Sequence, residues 1–150
     1  MTTANTNDLS LLNNFSLEDL ADVPEYRVFP AGTHIVNTTF EVKKSKSLKP
    51  MVVVKFTAVE TQELVNEADT PLRQGESNLY YCMWDSEHGQ TDLRKILGPI
   101  ATATGVSGLA DLIASVNEEG GVNLLLTSYT KENKKEPGKV DLKIKMVAMA

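Results

Sequence analysis

Two histidines, His34 and His88, and a single cysteine, Cys82, are the side chains of this 150-residue chain best suited to acid–base or nucleophilic chemistry. Catalysis needs such groups brought to one place together with a stabiliser for the charge that develops. His34 shares a strand-like face with Val36 and Phe40, which reads as a partly buried histidine with satisfied ring nitrogens. Cys82 lies inside the apolar run NLYYCMWD, where a small buried hydrophobe is its ordinary role. The stretch DSEHGQTD gathers Asp85, Glu87, His88 and Asp92, whose carboxylate oxygens suit a divalent cation. It lacks the regular ligand spacing of a calcium loop and reads instead as a solvated turn. The glycines of GPIATATGVSG have neither phosphate-loop spacing nor the preceding strand of a dinucleotide-binding unit. These residues point away from an enzyme and imply neither a cofactor nor a metal site.

A different chemistry is better supplied. Binding a single nucleic-acid strand without reading its sequence takes a positive groove for the phosphates and aromatic faces for the bases. The chain has a formal net charge of -5, but its charges are segregated by sign. Five lysines lie between Lys43 and Lys55 and six between Lys131 and Lys145, so eleven of the fifteen basic residues fall in two short stretches. Residues 60–92 carry eight carboxylates against one arginine, and the first 26 residues carry five carboxylates and no base. A positive face can therefore coexist with an acidic total, because polyanions respond to the local field. Lys43, Lys44, Lys46 and Lys49 form one cluster, and Lys131, Lys134, Lys135 and Lys139 another, with Lys55, Lys143 and Lys145 extending them. Tyr80, Trp84 and Tyr129 are the stacking candidates. Tyr80 and Trp84 share one strand face and Tyr81 the other, so at most one set meets a ligand, and Trp84 with one tyrosine also suits a core. Lysines at hairpin tips also serve solubility and edge protection. Clustering favours binding, since solubility would be served by scatter.

The elements that must position these residues follow from hydrophobic periods. From Thr33 to Lys43, His34, Val36, Thr38, Phe40 and Val42 alternate with polar residues; from Met51 to Val59, Val52, Val54, Phe56 and Ala58 do the same. The polar KSKSLKP between them makes the pair an antiparallel hairpin with its lysines at the tip. A third strand is expected at NLYYCMWD, a fourth at 122–130 with Leu124 and Leu126 inward, and a fifth at 140–146, where Val140, Leu142, Ile144 and Met146 alternate with Asp141, Lys143 and Lys145. KENKKEPGK joins the last two. Between the third and fourth strands, Thr91 or Asp92 caps a helix through Leu97, Gly98-Pro99 breaks or kinks it, and Ser107 opens another. A short helix is also expected from Ser16 to Val23, plugging one end of the core. Five antiparallel strands with a helical insert after the third is the element order of the OB-fold, a small and partly open barrel, although other α+β sandwiches share it. Residues 1–15 read as a flexible lead and 16–150 as one domain of this kind.

Length leaves room for a single core. No apolar stretch approaches a membrane span, and the start MTTANTNDLSLLNNF lacks the basic and apolar regions of a secretory signal, which places the protein in the cytoplasm. One cysteine permits no internal disulfide. The sequence does not set an oligomeric state, but the edge strands of a small barrel offer surfaces for self-association.

The order of these features resembles a family of small phage-encoded proteins that have an OB-fold and bind single-stranded DNA. The resemblance is carried by FPAGTHIVNTTFEVKKSKSLKPMVVVKFTAVE, where a Pro-x-Gly turn leads into a strand, a lysine-rich tip and a returning PMVVVKF strand, and then by DLRKILGPIATATG and GVNLLLTSYTKEN. It implies that Lys43, Lys44, Lys46, Lys49 and the YTKENKK segment line the strand-binding groove, that the setting is the host cytoplasm, and that partners are phage replication or transcription proteins. Proteins of this type often end in an acidic recruiting tail. This chain ends DLKIKMVAMA, leaving that part to the acidic N-terminal region. Replication or recombination, genome coating and promoter opening are all uses the resemblance allows. A second reading is an interaction module that docks on a basic partner such as a polymerase through the acidic residues of 60–92, and a third is a virion component.

Overall fold

The computed structural model describes residues 9–14, 16–17, 27–44, 46 and 48–150. The helix expected from Ser16 to Val23 lies largely outside them, and Leu9–Leu12 forms one 3-10 turn with its leucines exposed. The rest is mainly β, with five strands and two helices in the order β1 (Gly32–Lys44), β2 (Pro50–Leu64), β3 (Ser77–Met83), α1 (Glu87–Thr104), α2 (Leu109–Glu118), β4 (Val122–Glu132) and β5 (Val140–Met149). The strands form one antiparallel sheet in the order β3-β2-β1-β4-β5. Three of the four ladders join neighbours in sequence; only β1 with β4 requires the helical crossover.

The sheet is open, because β3 and β5 end it and do not pair. A ladder closed into a full barrel is therefore not what these strands form. Instead α1 packs on both edge strands and spans the gap between them. Two register shifts in the β1–β2 ladder skip Val59 and Gln62 of β2, and one in β4–β5 skips Lys145. Each extra residue bends its strand and sharpens the local twist, which curls the long hairpin around the core.

The alternating inward residues make that core: Val36, Phe40, Val52, Val54, Phe56, Cys82, Leu124, Leu126, Leu142 and Ile144 are buried, with Leu93, Ile96, Leu97 and Ile100 of α1 and Leu112 and Val116 of α2 across from them. Helix α1 starts earlier than the sequence suggests, because Ser86 is the N-cap and its Oγ accepts the Gly89 N–H at 3.3 Å. It also continues unbroken through Gly98-Pro99 to a left-handed Gly105 cap. Proline forfeits one helical hydrogen bond, but Ile96, Leu97 and Ile100 are buried on either side of it, and that burial offsets the loss. Helix α2 is capped by Gly108 rather than opened at Ser107, and it turns 77° away from α1. Among the described residues no single helix is long and apolar enough to cross a membrane.

Asn117 closes an end of the sheet. The β1–β4 ladder stops at Thr38–Val122, leaving the next inward residue of β1, Phe40, without a strand partner on that side. The Asn117 amide from α2 takes the place of one: its Oδ1 accepts the Phe40 N–H at 3.1 Å and its Nδ2 donates to the Phe40 carbonyl at 2.8 Å. Asn117→Ala orphans both backbone groups and is expected to cost about 1–3 kcal/mol. The midpoint of urea denaturation measures this, and a loss below about 0.5 kcal/mol would mean water serves those groups equally well.

Candidate nucleic-acid interface

The two lysine-rich tips are built, but at opposite ends of the sheet. Gly32 of β1 pairs with Ser128 and Thr38 with Val122, so β1 leaves the ladder at the end where β4 begins. Lys43, Lys44, Lys46 and Lys49 therefore crowd the β1–β2 end, and Lys131, Lys134, Lys135 and Lys139 the β4–β5 end. The second tip is an ordered turn, with Asn133 Oδ1 accepting the Lys135 and Glu136 N–H groups at 2.9 and 3.2 Å. Some of this charge is locally paired: Lys43 lies 3.6 Å from Glu41, Lys49 3.8 Å from Asp85, and Lys139 2.9 Å from Glu136. The Lys139 pair holds the Glu136 carboxyl below its usual range and raises the Lys139 ammonium. Exposed pairs of this kind are worth little and yield easily to a phosphate. Lys44, Lys46, Lys55, Lys131, Lys134, Lys135, Lys143 and Lys145 make no ion pair among the described residues.

What joins the two tips is the outward face of the edge strands. On one side of the gap Lys55 pairs with Leu79 and Val53 with Tyr81; on the other Lys143 pairs with Tyr129 and Asp141 with Lys131. Leu79, Tyr81, Tyr129 and Val140 are all exposed large apolar side chains. The gap is a cleft of about 460 Å³ walled by Leu79 and Tyr81 from β3 and by Val140, Asp141 and Lys143 from β5. Tyr80 and Asp92 form its floor, and the start of α1 closes one end. The exposed Tyr81 and the unpaired Lys143 thus line one concave feature, with Lys55 and Tyr129 on the strands next to its walls.

Several sequence-level site residues are placed differently. Tyr80 belongs to the core: its ring packs 6.4 Å from that of Phe56, and its hydroxyl donates to Asp92 Oδ2 at 2.5 Å. Burial and that carboxylate push its pKa well above the usual phenol value, so it stays a neutral donor. Trp84 lies beyond the end of β3, half-exposed against α1 and α2, where it lines a separate groove with Leu109 and Arg94. Tyr81 takes the outward place instead; the strand alternation contained this signal, because Tyr80 and Tyr81 cannot share a face. The register shift at Lys145 also breaks the expected alternation of β5, turning Met146 outward and packing Val147 against the core. Lys145 is exposed at that irregularity rather than continuing the Lys143 row.

Two of the acid–base candidates, His34 and Cys82, are buried. Cys82 is buried, and burial foremost raises its thiol to about 12. Asp85 to Asp92 open α1, and among the described residues no three His, Cys, Asp or Glu side chains converge as metal ligands would. His34 is fully buried, with Nε2 at 2.8 Å from the Pro30 carbonyl and Nδ1 at 3.0 Å from Thr61 Oγ1. A carbonyl only accepts, so Nε2 carries the hydrogen. Thr61 Oγ1 also accepts the Leu72 N–H at 2.8 Å, and one imidazole therefore ties the lead into β1 to the β2–β3 loop.

Burial lowers the His34 pKa, outweighing the Pro30 hydrogen bond that favours the cation, and the Arg27 charge adds to the lowering. A base with a depressed folded-state pKa binds its proton more readily when unfolded. Its effect is therefore absent above the ordinary value of 6.5 and destabilising as pH falls below it. Stability is expected to drop between pH 6.5 and 5 by at most about 1.4 kcal/mol per pH unit from this residue. Denaturation midpoints of wild type and His34→Asn check this, and equal pH slopes would contradict it.

Neither a protein-family model nor any curated protein matches the chain. The molecule's own architecture defines its class: a mainly β domain of five antiparallel strands in an open sheet, with two helices, one spanning its edges.

Proposed function

We propose that the protein is a sequence-tolerant single-stranded DNA-binding protein of phage type, acting in replication, recombination or genome coating by phosphate neutralisation and base stacking. The single observation that carries this reading is the cleft between β3 and β5, lined by Leu79, Tyr81 and Lys143, with Lys55 beside Leu79 on β2 and Tyr129 beside Lys143 on β4. Exposed aromatics are what a base stacks on, and unpaired lysines beside them are what its phosphate needs. The ladder order supports it as well. A partly open five-stranded barrel with this helix position binds oligonucleotides on its β2–β3 face and with its β1–β2 and β4–β5 loops, which here hold the lysines.

The acidic-module reading draws less support, because three of the eight carboxylates of residues 60–92 already lie beside cations of this chain. Glu76 is held by Arg27, with both bonds at 3.2 Å, Asp85 lies near Lys49, and Asp92 serves Tyr80 and Lys95. Anisotropy titrations of a labelled single strand, the matching duplex and the RNA at low salt test the proposal. The single strand is expected to bind tightest; failure to bind it at low salt refutes the function.

A further inference from the structure

We infer that the cleft between β3 and β5 is a pocket for one nucleobase that carries an exocyclic amino group, giving a strand-binding surface an embedded preference for the amino-bearing bases over thymine. This inference rests on the single-strand-binding reading above.

A flat stacking platform needs no cavity, yet this face has one of about 460 Å³. That volume is in the range of small-ligand pockets. One wall is apolar and aromatic, from Leu79 and Tyr81, and can lie along a base plane. The opposite wall is β5, where Asp141 and Lys143 are two residues apart and so project on the same side, about 7 Å from one another. Lys143 forms no ion pair among the described residues and offers its ammonium to a phosphate.

The two carboxylates of the cleft differ in availability. Asp92 is occupied, because one oxygen accepts the Tyr80 hydroxyl and the other faces Lys95 at 3.8 Å. Asp141 is half-buried and makes neither a hydrogen bond nor an ion pair among the described residues. Its side chain is an unused pair of acceptors beside a negatively charged ligand, an arrangement that costs non-specific affinity. A carboxylate recovers that cost only from a donor, and the exocyclic amino group of cytosine or adenine is such a donor. Thymine carries a carbonyl oxygen where cytosine carries its amino group, and an oxygen at that place repels the Asp141 carboxylate.

Oligo(dC) and oligo(dT) isolate this contact, since both are pyrimidine strands that differ at the amino group. Oligo(dC) is expected to bind wild type roughly tenfold tighter than oligo(dT) of equal length. Asp141→Ala removes a repelling charge and strengthens both, so the ratio is the readout: it should fall to about one. Equal binding of both strands by wild type, with steep salt dependence, overturns the base pocket and leaves general strand binding intact. A dC preference that persists in Asp141→Ala overturns the assignment to this cleft. Failure of both strands to bind at low salt removes the reading underneath, and the inference with it.

Discussion

Gly89→Ala is expected to lower the unfolding free energy by about 3 kcal/mol, at the high end for a single added methyl group. A Cβ at residue 89 would sit 2.3 Å from the Met83 carbonyl oxygen and 2.6 Å from its nitrogen, both of them backbone atoms that cannot swing aside. The first turn of α1 therefore rests directly on the end of β3, and only glycine allows it so close. Room for the methyl group comes only from lifting the helix. That helix buries Leu93, Ile96, Leu97 and Ile100, and its Asp92 and Lys95 reach Tyr80 and the Ile144 carbonyl on the two edge strands. Displacing it widens the gap between β3 and β5 as well as loosening the core. Ser86→Ala, which loses only the helix cap, should cost about 1 kcal/mol. Chemical denaturation compares the two, and a Gly89→Ala cost no larger than that of Ser86→Ala would mean the helix seat is not tight.

Tyr81→Ala and Tyr129→Ala are each expected to weaken single-strand binding by about 1–3 kcal/mol, roughly five- to 150-fold, with the salt dependence nearly unchanged. Both rings are about half-exposed, at 56% and 45%, so their removal should change stability by no more than about 0.5 kcal/mol. Tyr80→Phe is the useful contrast. It removes the hydroxyl that donates to Asp92 and leaves a part-buried carboxylate oxygen short of that partner, so it should destabilise the fold while leaving Tyr81 and Tyr129 in place. Anisotropy titrations with parallel thermal melts separate the two behaviours. Stacking on Tyr81 and Tyr129 would be ruled out by full affinity in the Tyr81→Ala, Tyr129→Ala double variant.

The strands were legible in the sequence because each needs only a two-residue period and a turn, and all five strands and both lysine-rich hairpin loops lie within a few residues of where the alternation puts them. The helices were misjudged where local and tertiary signals compete. Gly98-Pro99 is a strong local break, yet the apolar residues around it are worth more when buried as one continuous helix. The site was legible in its lysines but not in its geometry. Opposite placement of the two tips follows from the β1–β4 ladder, which joins segments about 90 residues apart and leaves no local trace. The register shift that exposes Met146 and buries Val147 also depends on a partner strand. The alternation puts Tyr80 and Tyr81 on opposite faces of β3, but it could not decide which face meets the core. Asn117 carried no signal at all, since a helix-end asparagine bonded to a distant strand looks like any helix-end asparagine.

The central claim is that unpaired lysines around the β3–β5 face neutralise the phosphates of a single strand. The most direct measurement is the affinity for one oligonucleotide over a range of salt concentrations, for wild type and for the Lys55→Ala, Lys143→Ala double variant. Each lysine that displaces one counterion adds about 0.7 to the magnitude of the slope of log K against log salt, so the double variant loses about 1.4. A wild-type slope near zero, or a double variant whose slope matches wild type, would contradict the claim.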